Sequence, residues 1–180
     1  LLAFLLSTGA FATADHHSGA EHYGDQVKHV GYSELGDPAT VLEVKTEASR
    51  ALGQGEVRVT VLAAPINPSD LLQIAGDYGV DPVLPARPGS EGVGRVIEVS
   101  PDVQVLKVGQ LVLLAGGSTW AEELVAPATG SLPLPDLGPI GADVIEQLAM
   151  STVNPLTALL MLTSYTDVAE GQWIAQSAAN

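Results

Sequence analysis

Residues 55–79, GEVRVTVLAAPINPSDLLQIAGDYG, decide the fold. In the first half Val57, Val59, Val61 and Ala63 share one face, while Glu56, Arg58 and Thr60 share the other. A side-chain period of two marks a strand with one face in a core and the other toward solvent. At Pro65 the alternation breaks, and Asn67-Pro68-Ser69-Asp70 opens a short helix, LLQIAG, which Asp70 is placed to cap. The glycines at 76 and 79 then let the chain turn tightly around Tyr78 and come close to a ligand.

Working outward, short strand-like runs alternate with turn residues from Val27 to about Val125. VKHVGY (27–32) and VLEVKT (41–46) flank the turn-rich SELGDPAT, and GRVIEVS, LVLLA and EELVA supply further strands. Strands this short and closely spaced predict a small barrel or sandwich. After GSLPLPDLGPIG the pattern becomes helical, in ADVIEQLAM (142–150) and NPLTALLMLTSY (154–165). Asn154 is placed as the N-cap of the second helix, with Pro155 at its first position. Beyond Gly171, Trp173-Ile174-Ala175 begins an apolar run that reads as a buried strand. The fold class is therefore mainly β with α (α+β), with a second, α/β unit beginning after the barrel.

Composition narrows the function. The 180 residues carry 21 acidic and 7 basic side chains, a formal net charge of -14, which repels phosphate backbones and anionic lipid. Nucleic-acid binding is excluded on that ground. With no cysteine, disulfides, thiolate catalysis and zinc–thiolate sites are excluded too. LLAFLLSTGAFATA (1–14) reads as the apolar core and cleavage region of a truncated export signal, too short for a stable membrane span. DHHSGAEHYGDQ (15–26) reads as a flexible leader, and the spacing of His16, His17 and His22 matches no rigid metal-ligand pattern.

Five stretches taken in order resemble the medium-chain dehydrogenase/reductase superfamily: residues 55–79, LPARPGSEGVGRVIEVS (84–100), VLKVGQLVLL (105–114), GSTWAEELV (117–125) and VNPLTALLML (153–162). The branch they are most similar to is the zinc-free, mitochondrial-type trans-2-enoyl-thioester reductases, which use NADPH. The resemblance implies a GroES-like, partly open β-barrel catalytic domain over 27–150. Residues 151–180 would then be the start of a truncated Rossmann domain, with WIAQSAAN (173–180) running into its phosphate-binding turn. Most of the cofactor site would then lie outside the sequence, and the 180-residue chain alone is expected to be inactive. Any homodimer is expected to form through the missing domain.

The resemblance also nominates residues. Zinc-using relatives place a cysteine in the loop matching PINPSD and a histidine in a Gly-His-Glu motif. Here Asn67 and Ser90 fall in those regions, both poor zinc ligands, so no metal is expected. Tyr78 matches the family's proton-donating tyrosine, and a phenol protonated at neutral pH can protonate a carbanion-like centre. A packing tyrosine on a glycine turn is the competing reading. Asn154 and Thr157 match positions near the nicotinamide and its ribose, and Asn154 is equally a helix cap. Asn67 and Trp120 match the substrate pocket, although Trp120 on a strand also reads as core. Glu91, Gly92 and Gly94 read first as residues that shape the backbone.

The implied activity is NADPH-dependent reduction of the 2,3 double bond of enoyl thioesters. A quinone oxidoreductase of the same superfamily is the alternative, and a non-catalytic binding module is the third reading. The small-molecule partner is accordingly an acyl thioester or a quinone. An export signal conflicts with an enzyme that draws on NADPH.

Overall fold

The computed structural model describes residues 3–4 and 26–175. The export-signal stretch apart from residues 3–4, nearly all of the leader with its histidines, and the last five residues lie outside the described residues. The architecture is mainly β. One sheet of six antiparallel strands, ordered β1-β4-β5-β6-β8 with β7 also on β4, curls into a half-barrel. Its strands are β1 (Ala3–Phe4), β4 (Glu56–Pro65), β5 (Gly92–Val99), β6 (Leu111–Leu114), β7 (Glu123–Pro127) and β8 (Ser131–Pro133). A separate hairpin, β2 (Gln26–Gly31) with β3 (Glu43–Ala48), is tied to the rest by bridges His29 to Ala121 and Tyr32 to Ala86.

β4 is the organising strand. β5 lies along one edge, and the other is shared by β7 along Glu56–Thr60 and β1 at Ala64–Pro65. Val57, Val59 and Val61 are buried as the alternation requires, packing with Val96, Val112, Leu114 and Leu124. Each such valine contributes about 1.5 kcal/mol through apolar area withdrawn from water. The opposite face departs from expectation. Arg58 is only 2% exposed, because the region around Ser49 and Arg50 closes over that side. Each of its guanidinium nitrogens donates once: Nε to Glu98 at 2.8 Å, Nη1 to the Ser49 hydroxyl and Nη2 to the Arg50 carbonyl at 2.5 Å.

Helix α1 (Pro38–Val41) replaces the start of the strand expected over 41–46. Asp37 Oδ1 accepts the Ala39 N–H at 2.9 Å and Pro38 follows it, so local capping wins over apolar patterning. Helix α2 (Pro68–Ala75) ends on Gly76 in the left-handed conformation, φ 86°. Helix α3 (Ala142–Ala149) packs Ala149, Ile145 and Leu148 against Ala63 of β4 and Val93 of β5.

Helix α4 (Asn154–Ser164) buries none of its residues. Its N-cap is Val153, so Asn154 is the first helical residue rather than the cap and Pro155 the second. Proline satisfies either of these first-turn positions, and the boundary moves by one. The strand expected from Trp173 does not form over the described residues 173–175. Trp173 is 97% exposed and Ile174 58%, with no described strand beside them to complete a ladder. Apolar content alone does not make a strand without a pairing edge.

Candidate active site

Three segments far apart in sequence meet at one carboxylate. Glu91, just ahead of β5, is 1% exposed. Its Oε1 accepts the Asn67 side-chain amide at 3.1 Å. Its Oε2 accepts three donors from the entrance to α4: the Thr152 N–H at 2.9 Å, the Thr152 hydroxyl at 2.9 Å and the Val153 N–H at 2.8 Å. Its backbone carbonyl accepts the Thr119 hydroxyl at 2.7 Å, next to Trp120. Among the described residues no lysine or arginine pairs with this carboxylate. Oriented N–H groups and the positive end of α4 stabilise the charge instead.

A second buried carboxylate works in the same way one step along. Asp70, 2% exposed, sits inside the first turn of α2. Oδ2 accepts the Asn67 N–H at 2.9 Å, and Oδ1 accepts the Ser90 hydroxyl in a short contact. Asp70 thus caps α2 from its third helical position, reaching back to Asn67. Asn67 and Ser90, which fall where zinc-using relatives carry ligands, each donate to a carboxylate here. Tyr32 is buried nearby, its hydroxyl pushed above the ordinary phenol range by burial and then by the Asp70 charge.

Of the nominated residues, Asn67 and Trp120 are drawn together. The Trp120 indole N–H donates to the Pro65 carbonyl at 3.0 Å, two residues before Asn67. Trp120 packs against the barrel core and also lines an apolar cleft of about 330 Å³ with Leu42, Val44, Ala64 and Ile66. His29 borders the same cleft, its pKa lowered by burial and then by the Arg87 charge. Asn154 follows Val153 directly and is exposed. Thr157 is exposed one turn further on, on the same side of α4. Tyr78 lies outside the Glu91 network, on the loop after α2 between the left-handed Gly76 and Gly79, and is 51% exposed.

Glu91 is the residue that reading the sequence undervalued. The available signal was a carboxylate inside the small, apolar run PGSEGVG, since a charge amid such neighbours is buried only when its oxygens are fully satisfied.

Residues 53–136 match the alcohol dehydrogenase GroES-like domain family. The mitochondrial enoyl-[acyl-carrier-protein] reductase of Mus musculus is 39% identical over 157 residues, covering 86% of this chain and 41% of the relative. The chain thus spans about two-fifths of the length of the curated relatives it matches. Among solved structures, the complex of Etr1p with NADP and crotonyl-CoA is similar with a TM-score of 0.70 and 31% identity, over 82% of this chain and 46% of that one. A putative NADPH:quinone reductase from Bacillus thuringiensis is similar with a TM-score of 0.69 and 36% identity, over 78% of this chain and 41% of that one.

Proposed function

Since the chain belongs to the medium-chain dehydrogenase/reductase superfamily, we propose that the protein carrying it reduces the 2,3 double bond of trans-2-enoyl thioesters with NADPH. The observation that carries this reading is the meeting at Glu91 of the Asn67 loop, the Thr119–Trp120 turn and the entrance to α4. It gives one frame to a substrate cleft and to a helix that offers Asn154 and Thr157 to a cofactor. The likeness to enoyl-[acyl-carrier-protein] reductases and to the Etr1p complex supports the choice of substrate and cofactor.

Asn154 and Thr157 fit the nicotinamide end of NADPH, as exposed polar groups on one side of α4. The Thr152 and Val153 N–H groups already bond Glu91, so the cofactor phosphates fall to other residues. We assign residues 151–180 to the start of a nucleotide-binding domain on the likeness to the Etr1p complex with NADP. When bound, NADPH supplies hydride to the β-carbon of the enoyl thioester. The electron pair of the double bond then resides on the α-carbon and thioester oxygen as an enolate. Tyr78 gives its phenolic proton to the α-carbon, and solvent reprotonates the exposed phenolate. No metal enters this scheme, because the amide of Asn67 and the hydroxyl of Ser90, where zinc-using relatives place ligands, are poor zinc ligands. The mitochondrial relatives support an organellar location supplied with NADPH.

The likeness to the Bacillus thuringiensis protein favours a second reading, quinone reduction, which makes no use of Tyr78 as a proton donor. The test is NADPH oxidation by the natural full-length protein with crotonyl thioester or with a quinone, before and after chelation. Faster turnover of the thioester, untouched by chelator, supports the proposal. Turnover of quinone alone transfers the assignment to the second reading. The 180-residue chain by itself is expected to oxidise no NADPH above background.

A further inference from the structure

We propose that Glu91 is a positioning residue that fixes α4, and with it Asn154 and Thr157, against the loop carrying Asn67. The inference rests on the reductase reading only for the role of α4's polar residues; the mechanical coupling stands on the geometry. Helix α4 buries none of its residues, and Leu159 and Met161 are 55% and 58% exposed. Apolar packing therefore does not place it on the barrel. Beyond the chain's own link to α3, its entrance is tied to the barrel through one oxygen of Glu91, taking two backbone N–H groups and one hydroxyl at 2.8–2.9 Å. The other oxygen holds the Asn67 amide. The anchor is itself held: the Glu91 carbonyl takes the Thr119 hydroxyl, and the preceding Ser90 bonds Asp70 at the start of α2.

A carboxylate suits this task because it is acceptor-only, and four donors converge on it without any needing to turn away. Glutamine replaces one acceptor oxygen by a donor. Asn67 can answer by turning its amide, so Glu91→Gln weakens the grip on α4 while sparing the barrel. Aspartate is one methylene too short to hold both partners.

Amide hydrogen exchange on the 180-residue chain reads the coupling. For Glu91→Gln, the Thr152 and Val153 amides and the first turn of α4 are expected to exchange about tenfold faster, with β4 and β5 unchanged, as befits local rather than global opening. Thr152→Val, which removes one donor of the three, is expected to give a smaller change at the same amides and guards against a poorly folding Glu91 variant. Unchanged exchange at α4, or an equal rise throughout the barrel, overturns the proposal.

In the natural full-length protein, Glu91→Gln is expected to raise the KM for NADPH about tenfold with kcat changed far less, as expected for lost cofactor positioning. Glu91→Asp should fail to restore it. A fall in kcat with KM for NADPH unchanged also overturns the positioning role. Absence of enoyl-thioester turnover in the wild-type protein would defeat the functional reading and leave the exchange result to decide the coupling.

Discussion

Two regions of the molecule, the Glu91 turn and the Tyr78 loop, follow opposite plans. At one, the Glu91 carboxylate, 1% exposed, takes its donors from two distant segments of the chain, and the Glu91 backbone carbonyl holds a third. At the other, Tyr78 is 51% exposed on a loop whose glycines at 76 and 79 both have positive φ. The buried region supplies geometry, and in the proposed mechanism the open one supplies reach. A fixed carboxylate holds segments in register whether or not a ligand is present, while a phenol on a glycine loop acts only on what is brought to it. Substitutions in the first region should therefore cost stability, and substitutions in the second should cost activity.

The largest stability effect is expected for Glu91→Ala, which orphans the Asn67 amide, the Thr152 and Val153 N–H groups and the Thr152 hydroxyl. Urea unfolding should show a loss of about 3 to 5 kcal/mol, the scale for buried donors left unpaired. A loss below about 1 kcal/mol would erase the contrast.

Two glycines sharpen it. A Cβ at Gly89, φ +100°, would lie 2.4 Å from Thr119 Oγ1 and 2.5 Å from Trp120 Cδ1. At Gly79, φ +64°, it would meet nothing within 4 Å. Thermal melts should show Gly89→Ala costing about 3 kcal/mol through clash and strain, and Gly79→Ala about 1 kcal/mol through strain alone. Equal costs would mean that the Tyr78 loop is as tightly packed as the Glu91 turn.

A smaller effect separates both regions from the barrel surface. The Arg50 guanidinium, bonded to Glu56 through two nitrogens at 2.7 Å, and then the Gly53 N–H, hold the Glu56 carboxyl at about 2, below its ordinary 4.5. Because the folded state lowers this pKa, the stability it contributes is present above pH 4.5 and is lost as pH falls through about 2. Unfolding curves across that window should fall more steeply for the wild type than for Glu56→Gln. Parallel curves would show that the pair adds nothing. The smallest stability change is expected for Tyr78→Phe, within about 0.5 kcal/mol by urea unfolding, as for an exposed polar group.

Much of the frame was legible in the sequence, and the reasons are local. The alternation through Val57, Val59 and Val61 specified β4, and Asn67-Pro68 announced α2 within a few residues. The centre of the site was not legible, because Glu91 bonds residues 24, 61 and 62 positions away. From sequence Arg58 reads as solvent-facing for a similar reason, since its Glu98 partner stands 40 positions on. Local patterns report which face of a strand is apolar; they do not report what the fold lays over the other face. Trp173 shows the converse, an apolar residue that starts no strand over the described residues 173–175, which have no described edge to pair with. Tyr78 stands out through family likeness rather than local pattern, on an exposed loop between two glycines of positive φ.

The most direct measurement is the rate of crotonyl-thioester reduction by the full-length protein carrying Tyr78→Phe, set against its rate with a quinone. Loss of about 10²- to 10⁴-fold with the thioester, the scale of a missing general acid, and little change with the quinone is the predicted result. Thioester reduction within about threefold of wild type, far short of that scale, would remove Tyr78 from the chemistry and contradict the account.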